Sequence, residues 1–530
     1  PDQAKRPGSR QGLLNRRPSR KVVPGLPRPI TFRRQNSERR ERLMPVQPCA
    51  AERRAVSVDR RGGDHGARRA MSPPPMNMPS LSAPEVGRSE CEDAELTEME
   101  RIAEESLPND DEQRYPDQRT MDQEGEPPPA QATPLAASGV DPIDPEDSCS
   151  EVDDGALQVE ADAKWILNLS MHFRDKSDRE KFFITYAEEP NKWRRVTVSL
   201  DYRDAPPESL EADLKGLHFQ RDKSFHIYES IRDSLADIQF YDTVTNLKLV
   251  TTPDGRLHVH VTEDINEVIP YPPTNSISHL DCRHFKESDV VFDSHISGFV
   301  YKVKAGGVTC IKKEIPGPDS VEEFLYEINA LRTLGGSKAV INFEGVIVDD
   351  QARYVKGLLI SYADRGALVD LLYDLRGTNE LPWTLRERWA RQIIEGLSEI
   401  HESGFVQGDF TLSNIVINSK DEAKIIDINR RGCPVGWEPP EMDPLIDSGQ
   451  RVSIYIGVKS DLYQLGMVLW AIAAQEDEPE RQDRTELLQV QTDERFAEIP
   501  QYYKDIVAHC LSRDPRNRLQ AKELLKLMDD

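Results

Sequence analysis

The first 160 residues of this chain contain too few aromatic and β-branched residues to build a hydrophobic core, and their charges fall into two blocks of opposite sign. Residues 1–70 contain 19 Lys and Arg against 6 Asp and Glu, a net charge of +13, whereas residues 85–160 contain 24 acidic residues against 4 Arg, a net charge of -20. Such segments cannot bury enough apolar surface to offset the entropy lost on ordering. We therefore predict a disordered basic tail over residues 1–84 and a disordered acidic segment over residues 85–160.

The composition also bounds the partners and the compartment. The two charged blocks can attract each other, and this competes with binding of the basic block to nucleic acid or to a membrane surface. Nucleic acid is not the expected partner, although the positive charge of the basic block is compatible with binding to it. No apolar run approaches the roughly 18 residues of a membrane span. The seven cysteines include no C-x-x-C pair, which favours a reducing, intracellular location, cytoplasmic or nuclear.

Globular patterning begins near residue 161. Val196–Leu200 alternates apolar and polar residues with the period of a half-buried strand. Two later strand-like segments, residues 246–250 and 257–261, flank a Pro-Asp-Gly turn. We predict a small α+β accessory domain over residues 161–275 that contacts a regulatory partner.

The rest of the chain has strands first and helices later, which predicts a two-lobed α+β domain over residues 286–530. Ile269–Pro273 contains three prolines and is predicted to be a stiff linker to this domain. Within the domain, Asp461–Ala473 is largely apolar all round, which is typical of a buried helix.

Several short motifs follow one another in residues 286–530. They are Val308-Thr309-Cys310-Ile311-Lys312, Phe324-Leu325-Tyr326-Glu327-Ile328, Val406-Gln407-Gly408-Asp409-Phe410-Thr411-Leu412-Ser413-Asn414, Ile425-Ile426-Asp427-Ile428-Asn429, Pro439-Pro440-Glu441 and Arg513-Asp514-Pro515-Arg516-Asn517-Arg518. In this order they resemble the lysine strand, helix glutamate, catalytic loop, metal-binding carboxylate and C-lobe pair of the eukaryotic protein kinase superfamily. The resemblance implies a protein kinase fold that uses ATP with Mg²⁺ or Mn²⁺.

The resemblance also implies a role for each matched residue. Lys312 would contact the α- and β-phosphates of ATP and pair with Glu327. Asp409 would orient the hydroxyl of a protein substrate, and Asn414 and Asp427 would hold the metal.

Further positions would surround the nucleotide. Gly298 is the one glycine left of the loop that covers the phosphates, and Val300 follows it on the next strand. The segment resembling the hinge would bind adenine through its backbone. Its residues are Ile360, Ser361, Tyr362 and Ala363.

Some positions depart from the kinase pattern. Gln407-Gly408 replaces the usual His-Arg, and Thr411 replaces a lysine. The segment 430–438 is short and contains no Ser, Thr or Tyr, so we predict that activity does not depend on its phosphorylation. The leading interpretation is a slow protein kinase, expected to act on Ser or Thr. The alternatives are a pseudokinase that binds ATP or acts as a scaffold, and a small-molecule kinase.

Overall fold

The computed structural model of the protein describes residues 43–46, 154–173, 177–189, 192–430, 432, 434–448 and 456–529. Most of the predicted basic tail and acidic segment therefore lies outside the described residues. Two described parts differ from the prediction of disorder. Leu43–Pro45 forms a strand paired with residues 171–173, and a helix begins at Asp154, ahead of the predicted boundary. Pairing with a strand so distant in sequence is a contact that local composition cannot reveal.

The accessory domain, which we define as residues 154–263 together with Leu43–Pro45, is an α+β unit. Its elements are β1 (Leu43–Pro45), α1 (Asp154–Lys164), β2 (Trp165–Phe173), β3 (Arg179–Glu189), β4 (Lys192–Asp201), α2 (Leu210–Gly216), α3 (Gln220–Ile231), β5 (Val244–Thr251) and β6 (Leu257–Glu263).

The strands of this domain form one sheet in the order β1-β2-β3-β4-β5-β6. Strands β4 and β5 are parallel, so α2 and α3 lie in the crossover that this pairing requires. Leu214 and Ile227 from these helices are fully buried in one cluster with Val198 and Leu247 of the sheet. The predicted hairpin is present between β5 and β6, where Gly255 adopts the positive φ (+82°) that favours glycine.

The second part of the chain has two lobes, as its pattern of strands followed by helices predicted. We call residues 284–361 the small lobe and residues 366–529 the large lobe. The elements of the small lobe are β7 (His284–Lys286), β8 (Val290–Ser297), β9 (Val300–Ala305), β10 (Val308–Glu314), α4 (Val321–Thr333), β11 (Phe343–Val348) and β12 (Val355–Ser361). Those of the large lobe are β13 (Gly366–Ala367), α5 (Leu368–Leu375), α6 (Trp383–Glu402), β14 (Ile415–Ile417), β15 (Ala423–Ile425), α7 (Asp443–Asp447), α8 (Val458–Ala474), α9 (Arg484–Leu487), α10 (Gln501–Cys510) and α11 (Ala521–Asp529).

The small lobe is built on a sheet in the order β7-β11-β12-β10-β9-β8, and the large lobe carries a short sheet in the order β13-β14-β15. Helix α8 runs through the core of the large lobe, and Ser460–Ala473 is buried along its whole length, as its apolar composition predicted. The loop before β14 and the segment after β15 hold the polar residues that the large lobe contributes to the candidate site.

The predicted linker is packed against the small lobe. Ile269 belongs to the main hydrophobic cluster and is only 6% exposed. Pro272 accepts a backbone hydrogen bond from Val355, and Pro273 forms a β-bridge with Tyr354. The prolines therefore fix the segment along β12 rather than leaving a spacer between two domains.

Within the described part of the chain, no helix combines the length and the apolarity that crossing a bilayer requires.

Candidate active site

A partly buried lysine at the end of β10 joins two carboxylates from different parts of the chain. Lys313 Nζ lies 2.9 and 2.8 Å from the two carboxylate oxygens of Glu327 on α4, and 2.6 Å from Oδ1 of Asp427, which follows β15. Burial opposes the charge of this lysine, but Asp427 and Glu327 outweigh it and raise the pKa of Lys313. The lysine is therefore a fixed positive charge across the cleft between the lobes.

The lysine predicted for this role was its neighbour, and the predicted pairing of Lys312 with Glu327 is wrong. The side chain of Lys312 leaves β10 on the opposite face, where its Nζ lies 2.7 Å from Glu314 and 6.0 Å from the ring centre of Tyr301. Successive side chains of a strand alternate between faces, so an error of one residue moves the group to the wrong side of the sheet.

Sequence alternation did not reveal the correct lysine because both faces of β10 are covered by protein. Ile311 packs toward the main core, while Cys310 belongs to a separate cluster with Ile166 of the accessory domain. A strand that is buried on both faces loses the contrast between an apolar and a polar face that usually orients it. The one available signal was the second lysine in the Lys312-Lys313 pair.

The loop that follows α6 is held by a buried aspartate of α8. The two carboxylate oxygens of Asp461 accept the backbone N–H groups of Gln407 and Gly408, each at 2.9 Å. His401 Nε2 also lies 2.9 Å from Asp461. The loop is thus fixed through its backbone, independently of the side chains that it presents.

Asp409 and Asn414, both predicted for the site, lie in this loop. The Asn414 side-chain amide donates a 2.6 Å hydrogen bond to the backbone oxygen of Asp409, which closes the loop on itself. The structure therefore brings the predicted acceptor-orienting carboxylate and the predicted metal-binding amide into one turn.

Gln407 connects this loop to the carboxylate segment, a role that sequence reasoning missed. Its side-chain oxygen accepts the N–H of Asp409 at 2.7 Å, and its amide donates to the carbonyls of Ile426 and Asp427 at 3.2 and 3.3 Å. The residue is fully buried. Only a side chain with both a donor and an acceptor can make these bonds, and Gln407 supplies both at the position where the kinase pattern has a histidine.

Gly408 is required by the path of the chain beyond Asp427. Its φ is +87°, and a Cβ added there would lie 2.5 Å from the Cα of Arg430. The N–H of Arg430 donates to the carbonyl of Gln407 at 3.0 Å, so the two segments are in backbone contact. No larger residue fits, which accounts for the missing arginine of the kinase pattern at this position.

The hairpin between β8 and β9 lies beside the lysine. Strand β9 pairs with β10, and Val300 is the register partner of Lys313. Gly298, with φ of +51°, forms the turn. Asp293, which stands where the kinase pattern has a glycine, lies 3.6 Å from Lys302, so part of its charge is compensated.

The predicted hinge residues continue from β12 into the connection between the lobes. Ile360 and Ser361 are paired with β10 at Ile311 and Cys310. Lys302 lies 4.8 Å from the ring centre of Tyr362, and Ala363 is buried. Adenine binding by their backbone groups stays a prediction.

The short segment that follows Asp427 is described at residues 430, 432 and 434–438. Trp437 is buried, and the N–H of Gly436 donates to the Glu438 side chain at 2.6 Å. Cys433, the cysteine of this segment, lies outside the described residues. Just beyond it, Glu441 forms two hydrogen bonds with Arg518, at 2.7 and 2.6 Å, as predicted. The independence of activity from phosphorylation here stays a prediction.

The polar side chains of the cleft fit a nucleotide-bound divalent cation better than a protein-only metal site. Among the described residues, no cluster of three or more His, Cys, Asp or Glu side chains could hold a metal ion. Mg²⁺ commonly takes one or two protein oxygens and completes its shell with phosphate and water. One carboxylate (Asp427) and one carboxamide (Asn414) match that donor set, with the Lys313 charge beside them.

Comparison with known proteins agrees with this geometry. Residues 301–528 match the family described as protein tyrosine and serine/threonine kinase. The chain is 31% identical over 184 residues to serine/threonine-protein kinase GIN4 of Saccharomyces cerevisiae, covering 32% of this chain and 16% of that protein. It is 28% identical over 228 residues to mitogen-activated protein kinase kinase kinase 17 of Arabidopsis thaliana, covering 38% of this chain and 58% of that protein. The chain thus spans less than two thirds of the length of these relatives.

Proposed function

Because the chain carries, in residues 301–528, a domain of the protein kinase superfamily, we propose that it is an ATP- and Mg²⁺-dependent kinase that phosphorylates Ser or Thr hydroxyls of proteins. The observation that carries the proposal is the meeting of Lys313, Glu327 and Asp427 at one point beside the Asp409 loop. The preference for Ser or Thr is supported by relatives such as GIN4, whose names describe them as serine/threonine-protein kinases.

Phosphoryl transfer needs positioning and positive charge more than covalent chemistry. Lys313, held by Glu327, presents a permanent cation to the phosphates. Asp427 and Asn414 would hold the metal, and the metal would neutralise charge on the transferred phosphoryl group. Asp409 accepts the proton of the acceptor hydroxyl as the new P–O bond forms and the bond to ADP breaks.

The departures from the kinase pattern lower the expected rate. The hairpin keeps one of its glycines, so the backbone offers fewer close contacts to phosphate, and Thr411 offers no cation. We expect turnover at or below the low end of the roughly 1–100 s⁻¹ typical of kinases. The same departures favour the second candidate, a pseudokinase that binds nucleotide without transfer. The third alternative, a small-molecule kinase, is disfavoured by the Glu441–Arg518 pair, which belongs to the protein kinase pattern.

The test uses the purified full chain, ATP labelled in its γ-phosphate, Mg²⁺ or Mn²⁺, and a mixed library of Ser, Thr and Tyr peptides. Asp409→Asn should keep Mg·ATP binding and lose transfer, while Asp427→Ala should lose metal-dependent binding. Phosphoamino-acid analysis then assigns the acceptor. Thermal stabilisation by Mg·ATP with no transfer to peptide or to the chain itself would establish the pseudokinase instead.

A further inference from the structure

The accessory domain lies against the outer face of the small-lobe sheet. Ile166 of β2 is buried in one cluster with Tyr301 of β9, Cys310 of β10 and other side chains of this face. Trp193 of β4 packs on Phe292 of β8, with ring centres 4.7 Å apart. The contact therefore covers β8, β9 and β10, the strands that carry Lys313 and the hairpin between β8 and β9.

One arginine of the accessory domain reaches the end of β10. Arg195 Nη2 lies 2.9 Å from the Glu314 carboxylate and 2.7 Å from the carbonyl oxygen of Ile315, and Nη1 lies 3.4 Å from the carbonyl oxygen of Pro316. Glu314 directly follows Lys313. An arginine that donates to three successive residues fixes both the position and the direction of that chain segment.

The same arginine covers the tip of the hairpin between β8 and β9. Its guanidinium lies 4.5 Å from the ring centre of Phe299, the residue after Gly298. Phe299 is 6% exposed and lines a small cavity together with Val196 and Val244 of the accessory domain. Its carbonyl accepts the N–H of Glu314 at 2.9 Å. The turn that would cover the phosphates is thus held by a residue outside the lobe to which it belongs.

A second polar contact fixes the adjacent strand. Tyr301 Oη lies 2.9 Å from Thr185 Oγ1 and 3.2 Å from Asn168 Nδ2, both in the accessory sheet. All three groups are buried and hydrogen-bonded. The contact around Arg195 is therefore part of a specific interface rather than an isolated surface ion pair.

We propose that Arg195 is a positioning residue for the nucleotide site, through which the accessory domain holds the Gly298–Phe299 turn and the Lys313 strand in the geometry that receives Mg·ATP. The inference rests on the proposed nucleotide binding, not on phosphate transfer. Lys312 also pairs with Glu314, so removal of Arg195 leaves that carboxylate with a counter-charge. The effect on the hairpin can consequently be separated from a loss of folding.

The experiment compares Arg195→Ala with Arg194→Ala in the full chain. Arg194 is the matched control because its guanidinium pairs with Glu188 and Asp242, within the accessory domain. The readouts are the Kd for Mg·ATP by calorimetry, the KM for ATP and for peptide, and hydrogen exchange of residues 297–314. Arg195→Ala should raise the Kd and the KM for ATP by at least about fivefold, the lower end of typical coupling between sites. The KM for peptide should stay unchanged.

Exchange should accelerate at the hairpin and the end of β10 and stay as in wild type within the accessory core. Relative to Arg195→Ala, Arg195→Lys should restore part of the affinity for Mg·ATP. It keeps the positive charge beside Glu314 but lacks the planar guanidinium that donates to several acceptors at once. Equal Kd values for Arg195→Ala and Arg194→Ala would overturn the inference, as would faster exchange throughout the accessory domain, which would indicate a purely structural role. Wild type that binds Mg·ATP in an Arg195-dependent way without transfer would support this inference while contradicting the proposed activity. Normal phosphate transfer together with a Kd for Mg·ATP that does not depend on Arg195 would support the proposed activity and contradict this inference.

Discussion

Lys312 and Lys313 are adjacent in β10, yet one contacts the interface with the accessory domain and the other contacts the carboxylates of the cleft. Lys313→Met removes the cation shared by Glu327 and Asp427 and leaves these two acids facing each other. Like charges brought together in a partly buried site repel each other. The predicted phosphate position also loses the positive charge of Lys313. The matched change Lys312→Met removes a cation of equal size from the other face.

We expect Lys313→Met to lower kcat/KM for phosphate transfer by at least about 100-fold, as loss of a charge that stabilises the transition state typically does. Lys312→Met should stay within several-fold of wild type. Steady-state transfer of labelled phosphate measures both. Greater loss in Lys312→Met would mean that the alternation of faces in β10 has been assigned wrongly.

Gly408 offers a second test at this scale. Gly408→Ala combines an unfavourable positive φ with a Cβ only 2.5 Å from the Arg430 backbone. We expect a loss of unfolding free energy above about 2 kcal/mol, since strain and overpacking add. Gly404→Ala is the control, because its φ is similarly positive (+82°) but nothing lies within 4 Å of the added Cβ. Urea unfolding that gave equal losses for both variants would contradict the close approach of Arg430.

At the scale of elements, helix α4 is connected to the loop of Asp409 by one tyrosine hydroxyl. Tyr326 Oη accepts the N–H of Val406 at 2.8 Å, and its ring packs on Phe405 with centres 5.4 Å apart. Tyr326 precedes Glu327, the partner of Lys313. The side chain of Tyr326 therefore couples the position of the Lys313–Glu327 pair to the position of the loop.

Tyr326→Phe keeps the ring and removes only that hydroxyl. Leaving a buried N–H without its partner typically costs about 1–3 kcal/mol, and the N–H of Val406 is only partly buried, so the fold should survive. We expect kcat to fall more than the affinity for Mg·ATP, because the loop of Asp409 loses its fixed distance from α4. Tyr241→Phe, at a tyrosine of the accessory domain that is 42% exposed, is the control. An unchanged kcat in Tyr326→Phe would contradict the coupling of α4 to the loop through this hydroxyl.

The Glu441–Arg518 pair connects the start of α7 to the segment before α11. Arg518 is almost completely buried and also donates to the carbonyls of Ser512 and Lys459, at 2.9 Å each. Removing one partner of a buried pair typically costs about 3–5 kcal/mol. Because the Glu441 side chain left behind is 30% exposed, Arg518→Met should destabilise the large lobe by up to about 3 kcal/mol. Arg516→Ala, in an exposed pair with Asp514, should leave the melting temperature unchanged. Equal melting temperatures for the two variants would contradict the structural role of Arg518.

At the scale of the whole molecule, the interface between the accessory domain and the small lobe contains a partly buried carboxylate, Glu314, that pairs with two cations. Burial opposes ionisation of Glu314, but Lys312 and Arg195 lower its pKa to about 2 from an ordinary value of 4.5. A carboxyl with a depressed pKa stabilises the folded state fully above its unfolded pKa. That contribution is lost as the pH falls from about 4.5 toward about 2.

Wild type should therefore exceed Glu314→Gln in unfolding free energy by up to about 3 kcal/mol at neutral pH, and the difference should shrink below pH 4.5. Chemical unfolding measured between pH 7 and 3 gives the comparison. Glu189→Gln, at a side chain that is 65% exposed, should change stability little throughout this range. A difference between wild type and Glu314→Gln that stayed constant with pH would contradict the paired, partly buried state of Glu314.

The sequence by itself determined the two-lobed fold, the buried helix α8, and the positions of Glu327, Asp409, Asn414 and Asp427. The lobes and the helix follow from strand and helix patterning, whereas the four residues were identified by the resemblance of their motifs to those of the protein kinase superfamily, including the five-residue spacing from Asp409 to Asn414. Each motif is a run of contiguous residues, so it can be recognised without knowing which distant residues it contacts.

Only the tertiary structure decided which lysine faces the cleft, that Gln407 bridges two loops, and that Arg195 reaches the hairpin between β8 and β9. Each of these depends on residues that are distant in sequence. The accessory domain covers the second face of the small-lobe sheet and thereby removes the polar face that would have oriented β10. Gly408 is needed because Arg430 passes beside it, and strand β1 exists because β2 offers an edge. Local patterns report the preferences of a segment, whereas these features are set by the surface against which that segment finally packs.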